Sequence, residues 1–581
     1  MKFLCVHSGH DFNVTTYDSK TSELHYIKEE RHSKKKHDEH CTAISKFINK
    51  NKFKADVVAI TLGSLKDLDD KSITLFSQNY KNIKSLELEW IKNIKEIESV
   101  IKKNKHLICK RKEILENYVT LLAKTKMTDV PICWVHHDYC HILSGWISNE
   151  NFKESDYGIS IDGGGPDFNN KLILKNPFDM KNLKILFNSR WIRKNDNNDI
   201  EINWNSLGGL FENIGICMNM QGKLQDFAGK IMGLQAYGKI DENIIRYFKE
   251  KSKNNILKFK ITNFWFESLN VFLCMPDDIL DPNKRPELIK HSNACNFKNE
   301  NFLNLVTTFH KIWEEIVLLM FKKFIPKKSK IVYSGGCAQN TVANAKFLKE
   351  YPDLHVVPHC YDGGLSLGCL AFLLLKYEIK FPEIKNFPYM QSDQSVERPS
   401  KETIQTIAKE LAKGKIIGWY QGNGEIGPRA LGNRSILMNP SIKDGKDKLN
   451  SKVKHREHWR PYAPSVLEEF AKDWFDIHKS KHMMFAAKVK KEKQKIIPAV
   501  THEDGTSRIQ TIEKEDNEDF YELIKEFYKL TKIPMLLNTS LNEGGGPIVG
   551  NTTQAKTIFE NSGMDILCIG DKIIYKNKFI L

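Results

Sequence analysis

Residues Gly418–Leu467 read GWYQGNGEIGPRALGNRSILMNP (418–440), the spacer SIKDG (441–445), then KDKLNSKVKHREHWRPYAPSVL (446–467). Glycines crowd Glu425 and Arg429, where a backbone without Cβ atoms lets a ligand approach closely. Cations recur at Arg429, Arg434, Lys452, Lys454, Arg456 and Arg460, interleaved with proline, glycine and aromatic residues. Arg offers a planar fork and Lys a point charge, so the run suits a pocket that grips small anions such as phosphate. A solvated basic face is the other reading of so many charges. The glycines together with Pro428, Pro461 and Pro464 argue against it, because a helix face does not tolerate such punctuation.

Upstream, ETIQTIAKELAKGKIIGWYQG reads as an amphipathic helix, a glycine stop and a strand leading into this stretch. Downstream, a helix EDFYELIKEFYKLT runs into IPMLLNTSLNEGGGPIVG, whose Asn538, Thr539 and Ser540 fall at a strand end. Before the helix, Lys380–Lys401 carries prolines and polar residues without periodicity, the mark of a boundary. The reading is therefore a first domain over 1–385, a linker over 386–400 and a second domain over 401–581.

The first domain opens with KFLCVHSGHDFNVTTYD and LHYIKEERHSKKKHDE, a strand, a polar turn, a second strand and a basic helix start. ADVVAITLG (55–63) has the pattern of a buried strand, and Lys66–Lys126 is rich in Lys, Glu, Ile and Leu at helical spacing, an inserted helical arm. After the strand PICWVHH, His137 and His141 stand four apart and so share one face of a helix. Asp162 and Asp362 each follow a strand and precede glycines. Two imidazoles and two carboxylates make a mixed nitrogen and oxygen site for iron, manganese or zinc, although a histidine pair at this spacing is by itself more often structural. SIDGGGPD, DFAGKIMGLQAYG, YSGGCAQNTVAN and YDGGLSLGCLA place Gly163, Gly164, Gly233, Gly335, Gly336, Asn340, Gly363 and Gly364 after strands or at helix starts, where N–H groups can face phosphate.

At 581 residues, with 41% apolar and 28% charged residues, the chain reads as a soluble protein of more than one domain. Its net charge of +16 admits a polyanionic partner or a lysine-rich drift. Twelve cysteines without a CxxC pair point to a reducing cytoplasm. The N-terminus turns polar at His7, too early for a signal-peptide core, and no apolar run reaches spanning length, so no membrane partner is expected.

GPRALGNRSIL followed by KVKHREHWRPYAPSVL closely resembles the signature of the O-carbamoyltransferase family, which includes nodulation-factor and antibiotic-tailoring enzymes. The resemblance implies an α/β protein, an ASKHA domain (the actin and sugar-kinase type) followed by a YrdC-like α/β domain. It implies that carbamoyl phosphate and ATP, with Mg2+, yield carbamoyl adenylate in the second domain. There Arg429, Arg434, Lys452, Lys454, Arg456, Arg460, Asn538, Thr539 and Ser540 would bind, with Arg508 from a DGT-x-R element. In the first domain it implies a metal, iron foremost, on His137, His141, Asp162 and Asp362, a nucleotide among the glycine segments, and His10 with Asp11 deprotonating an acceptor hydroxyl. The segment 66–126 is longer than the family pattern, and GGVALN stands here as GGCAQN, with Cys337 and Gln339. Small hydroxylated metabolites are the implied acceptors, and the positive charge also admits a hydroxylated nucleotide or modified DNA base. Homo-oligomers are compatible with the resemblance. The rival readings are a threonylcarbamoyl-type tRNA-modifying enzyme and an inactive nucleotide-binding scaffold.

Overall fold

The computed structural model describes residues 1–62, 86–103, 109–162, 171–189, 193–194, 200–201, 207–220, 224–253, 261–281, 284 and 294–576. The fold is α/β. The N-terminal part is built from one strand order used twice. Strands β1 (Lys2–His7), β2 (Asn13–Asp18), β3 (Glu23–Lys28), β4 (Val57–Leu62), β5 (Glu87–Ile91) and β6 (Ile132–His136) form a sheet in the order β3-β2-β1-β4-β6-β5. The first three make an antiparallel meander, and β4 and β6 add in parallel. Strands β7 (Tyr157–Ile161), β8 (Lys171–Lys175), β9 (Lys184–Ser189), β10 (Ile331–Ser334) and β11 (Leu354–Val356) repeat that plan as β11-β10-β7-β8-β9. Again a meander is extended by two parallel strands. This paired arrangement is the actin and sugar-kinase architecture, although no sequence repeat announces it.

The strands are apolar on both faces because both faces are covered. In β1, Leu4 and Val6 pack with Ile44, Ile97 and Leu121 of outer helices, while Phe3 and Cys5 face the opposite core. Helix α1 (His137–Leu143) leaves β6 and packs on the second sheet, whereas helix α2 (Leu365–Lys376) leaves the second half and packs on β1, β2 and β4. The halves are thus crossed. The two helices meet backbone to backbone, since a Cβ on Gly368 would lie 2.0 Å from the Cys140 carbonyl oxygen.

Two expectations change in this region. The segment read as an inserted helical arm supplies, besides two helices, Ile94–Lys103 and Cys109–Lys124, the strand β5, which pairs antiparallel with β6, and the helices' Ile97, Leu115, Tyr118 and Leu121 are buried against the first sheet. Its helical spacing reflects packing onto the sheet; residues 63–85 lie outside the described residues. The 386–400 stretch is also no loose tether. Ser392 donates its N–H to Tyr26 O (2.8 Å), and Gly424 donates its N–H to Asp393 Oδ1 (2.9 Å), so the strap touches both parts.

The C-terminal part holds β12 (Ile417–Tyr420), β13 (Arg434–Met438), β14 (Ala463–Leu467), β15 (Gln510–Ile512), β16 (Met535–Ser540), β17 (Ile566–Ile569) and β18 (Lys572–Tyr575). They form a mixed sheet in the order β15-β14-β16-β13-β12-β17-β18. Helices Lys401–Ala412 and Glu518–Thr531 pack against each other and bury their apolar stripes on this sheet. Among the described residues no helix is long and apolar enough to cross a membrane.

Candidate active site

A cavity of about 950 Å³ lies between the two parts and is lined by both. Its N-terminal wall includes Asp11, Lys28, His37, Asp226 and Tyr361; its C-terminal wall includes Arg429, Lys454, Arg460, Arg508 and Asn538.

Beside the N-terminal end, the crossed helices and strand ends bring His137, His141, Asp162 and Asp362 together, with one ligand atom from each inside a 4.8 Å cluster. His137 Nε2 lies 3.4 Å from Asp162 Oδ2 and 3.5 Å from Asp362 Oδ1. His141 Nε2 lies 3.7 Å and 3.5 Å from the same oxygens, and the two Nε2 atoms are 3.2 Å apart. Bonds of about 2.1 Å to one first-row ion impose such spacings in a tetrahedral site. All four side chains are buried. Burial pulls both imidazoles down, yet the carboxylates outweigh it and hold His137 well above its ordinary range and His141 up to about 9. Burial raises both aspartates, and the histidines override it, leaving Asp162 and Asp362 well below the usual carboxylate range. A buried set that draws positive charge this strongly, with two nitrogens and two carboxylate oxygens converging, fits a divalent first-row ion. Gly336 donates its N–H to Asp162 Oδ1 (2.8 Å), which fixes that carboxylate and leaves Oδ2 for the histidines.

His10 stands on the tight turn after β1, where Gly9 (φ +141°) and Asp11 (φ +71°) both have positive φ. Its Nδ1 is 2.8 Å from Asp11 Oδ2 and its Nε2 is 3.4 Å from Asp362 Oδ2. Asp11 is held in turn by Lys28 Nζ (2.6 Å) and His37 Nδ1 (2.9 Å). Although burial raises the Asp11 carboxyl, Lys28 and His37 bring it well below its ordinary range; His37 is raised to about 9, burial notwithstanding, by Asp11 and Asp226. His10 is also raised, because Asp362 and Asp11 overcome the effect of burial.

At the other end, Lys454 Nζ donates to Asn542 Oδ1 (2.6 Å) and Asn542 O (3.0 Å), and also to Ser540 O. Arg456 Nε donates to Asn450 Oδ1 (2.8 Å), and its guanidinium lies 4.7 Å from the Tyr462 ring centroid. Among the described residues Arg460 has one carboxylate neighbour, Glu457 at 3.6 Å. Among the described residues no carboxylate pairs with Arg429 or Arg508. Burial and the neighbouring cations depress Lys454 and Arg508 well below their ordinary ranges, and Arg460 to about 10. Burial also lowers Arg429. Crowded cations that destabilise one another in this way are relieved by an anion.

Two expected anion ligands lie elsewhere. Arg434 is fully buried on β13, paired with Asp393 Oδ1 (3.0 Å), donating to Gln394 O (2.9 Å) and Gly422 O (3.0 Å), and stacked on Tyr420. Its fork ties the strap to the sheet. Lys452 is exposed and does not line the cavity. Thr539 and Ser540 do line it.

The glycine segments of the N-terminal part also serve differently from the expectation. Gly335 donates its N–H to Cys360 O (2.9 Å), Gly364 to Tyr361 O (2.9 Å) and Gly336 to Asp162, so these donors are already engaged. At Gly335 (φ +89°) a Cβ would fall 2.3 Å from Ile161 O, and at Gly364 one would fall 2.4 Å from His359 O. These glycines, with Gly363 against the Tyr361 ring, let the turns around the metal-type quartet close up. Asn340 caps helix Thr341–Glu350 and bonds His310. Gly233 lines the cavity on helix α3 (Leu224–Leu234), 3.1 Å by a Cβ from Pro461. Gly163 and Gly164 lie outside the described residues.

A family model described as Carbamoyltransferase N-terminus matches residues 2–371, and one described as Carbamoyltransferase C-terminus matches residues 408–576. The chain belongs to the carbamoyltransferase family. It is 37% identical over 272 residues to nodulation protein NolNO of Sinorhizobium fredii, covering 42% of this chain and 40% of that protein. It is 35% identical over 273 residues to nodulation protein NolO of Bradyrhizobium diazoefficiens, covering 43% and 50%. The chain thus spans about half or less of those two relatives. An uncharacterized protein of Methanocaldococcus jannaschii is 30% identical over 470 residues, 76% of this chain and 83% of that one.

The site also contains residues that motif reading passed over. Lys28, His37 and Asp226 form the far side of the Asp11 network, and Asn542 anchors Lys454. The β2–β3 register, with Asn13 opposite Lys28, brings Lys28 to the His10–Asp11 turn. The dense charge of EERHSKKKHDE was the only local signal for His37.

Proposed function

We propose that this chain converts carbamoyl phosphate and ATP to carbamoyl adenylate at its cation-rich end and transfers the carbamoyl group to an acceptor hydroxyl at its histidine-rich end. The observation that carries this reading is the single cavity joining an under-neutralised cation cluster to the Asp11–His37 network beside His10.

Water cleaves carbamoyl phosphate to carbamate and phosphate. A carbamate oxygen then attacks the α-phosphorus of ATP, which enters with Mg2+, and pyrophosphate leaves. Arg429, Lys454, Arg456, Arg460 and Arg508 hold the polyanions and stabilise charge on the transferring groups. The shared cavity keeps the adenylate from bulk water, where it would hydrolyse. At the other end, the acceptor oxygen attacks the carbamoyl carbon, AMP leaves, and His10 Nε2 takes the hydroxyl proton. Asp11, clamped by Lys28 and His37, orients His10 through Nδ1. His137, His141, Asp162 and Asp362 would hold the divalent ion, iron foremost and manganese or zinc by the same donor set, which supplies Lewis-acid polarisation when bound.

The test is pyrophosphate release from ATP that depends on carbamoyl phosphate, followed by a panel of hydroxylated acceptors scored by the mass gain of one carbamoyl group. The panel includes sugars, aminoglycoside-type alcohols and hydroxymethylated nucleosides. ATP left intact with carbamoyl phosphate, metal and every alcohol present refutes the proposal. Carbamoylation of threonine-derived material on tRNA, with bicarbonate as the carbon source, would favour the tRNA-modifying alternative.

A further inference from the structure

We infer that Asp362 serves two ion positions: Oδ1 belongs to the quartet, and Oδ2, with His7 Nε2 and His10 Nε2, forms a second divalent-ion site that takes zinc in excess and silences the base. The silencing rests on the function proposed above; the second ion itself does not.

Asp362 Oδ1 lies 3.5 Å from both His137 Nε2 and His141 Nε2. Its other oxygen, Oδ2, lies 3.3 Å from His7 Nε2 and 3.4 Å from His10 Nε2. One buried carboxylate thus offers one oxygen to each of two histidine pairs. His7 is the last residue of β1 and is buried, and no motif drew attention to it. The turn through Gly9 (φ +141°) brings His10, three positions on, to the same oxygen.

At these distances a ring nitrogen aimed at the oxygen would make a hydrogen bond. Among the described residues neither nitrogen of His7 makes one, and His10 spends its Nδ1 on Asp11 Oδ2 (2.8 Å). Nitrogens that approach a carboxylate without pointing at it are directed beside it, as ligands around a common ion are. Bonds of about 2.1 Å to one ion produce ligand spacings of this size. A carboxylate on Nδ1 is also the partner that orients a metal-binding imidazole and frees its Nε2. A buried imidazole with both nitrogens unmet is costly, and an ion at His7 Nε2 relieves part of that cost.

Two imidazoles and one carboxylate oxygen, with a position left for water, suit zinc. Three ligands hold an ion less tightly than the quartet's four, so this position fills second. Its occupant takes the His10 Nε2 lone pair that the acceptor's proton needs. Zinc bound here stops transfer and leaves pyrophosphate release at the cation-rich end running.

The experiment is equilibrium dialysis of the untagged full chain against rising Zn2+, with total bound divalent metal measured per chain, in wild type, His7→Phe and His7→Gln. Wild type should take up a second ion after the first. Both variants should keep the first and bind the second more weakly by more than the roughly 10- to 100-fold that loss of an outer-shell partner costs. Two replacements of different shape keep the test open should one fold poorly. Wild type that saturates at one ion, or a second ion held equally by the folded variants, would overturn the site. In wild type, zinc beyond the first equivalent should abolish carbamoyl transfer while pyrophosphate release continues. Transfer that persists with the second ion bound would overturn the silencing. Absence of any transfer without added zinc would count against the proposed function alone, since the ion count still decides whether the site exists.

Discussion

The cation-rich end of the cavity and the quartet beside its other end differ in the sign of the charge they lack. The His137, His141, Asp162 and Asp362 quartet is a compact acidic set whose imidazoles are held high in pKa by the carboxylates, so it is satisfied by a cation. The Arg429, Lys454, Arg460 and Arg508 set is basic, with Glu457 the one carboxylate against Arg460 among the described residues, so it is satisfied by an anion. The whole-chain charge of +16 predicts neither. Local imbalance over a few ångströms selects a ligand, whereas net charge chiefly governs long-range encounter.

The sharpest way to break this contrast is to disable one end and assay the other. Arg460→Ala should cut pyrophosphate release dependent on carbamoyl phosphate by about a thousandfold, as loss of a preorganised charge does elsewhere. His137→Ala should spare that release, abolish carbamoylated product and lower the metal content of the purified protein. Reversed results would reverse the assignment of steps to ends.

Arg434 sharpens the contrast from the structural side. Burial holds Asp393 up at about 6 even with Arg434 beside it. Arg434→Ala would leave that carboxylate uncompensated and should cost about 3–5 kcal/mol, read from denaturant midpoints. A smaller effect belongs to Lys454. Its folded pKa lies below the ordinary lysine value, so its charge is lost at lower pH than for a free lysine. Affinity for inorganic phosphate should therefore decline with rising pH, starting below the usual lysine range, and Lys454→Arg should move that decline upward. Smallest of all, Lys452→Ala should change stability by no more than about 0.5 kcal/mol and leave pyrophosphate release unaltered, as befits an exposed side chain.

The quartet was legible because its signals are local: one helical turn separates the histidines, and each aspartate stands beyond a strand and just before glycines. The cation run was legible as chemistry but not residue by residue. Arg434 lies among glycines and Arg460 beside Pro461 and Pro464, both in punctuated sequence, and only the fold shows that Arg434 is committed to Asp393 across 41 positions of sequence. The glycine segments were read for their free N–H groups, while the structure uses their missing side chains for close contact and engages several of those N–H groups with carbonyls or Asp162. His37 and Asp226 escaped for the same reason: their contact spans 189 positions. The duplicated strand order left no trace in residue identity, since buried strands of either half need only be apolar.

The contact at Gly368 has a consequence for how this protein could be silenced. Helix α1 carries both imidazoles, and helix α2 begins just after Asp362. A methyl group at 368 would strike the Cys140 main chain and wedge the helices apart, drawing His137 and His141 away from the opposing carboxylate. One added carbon, at a position outside the cavity lining, would act as a crowbar on this quartet.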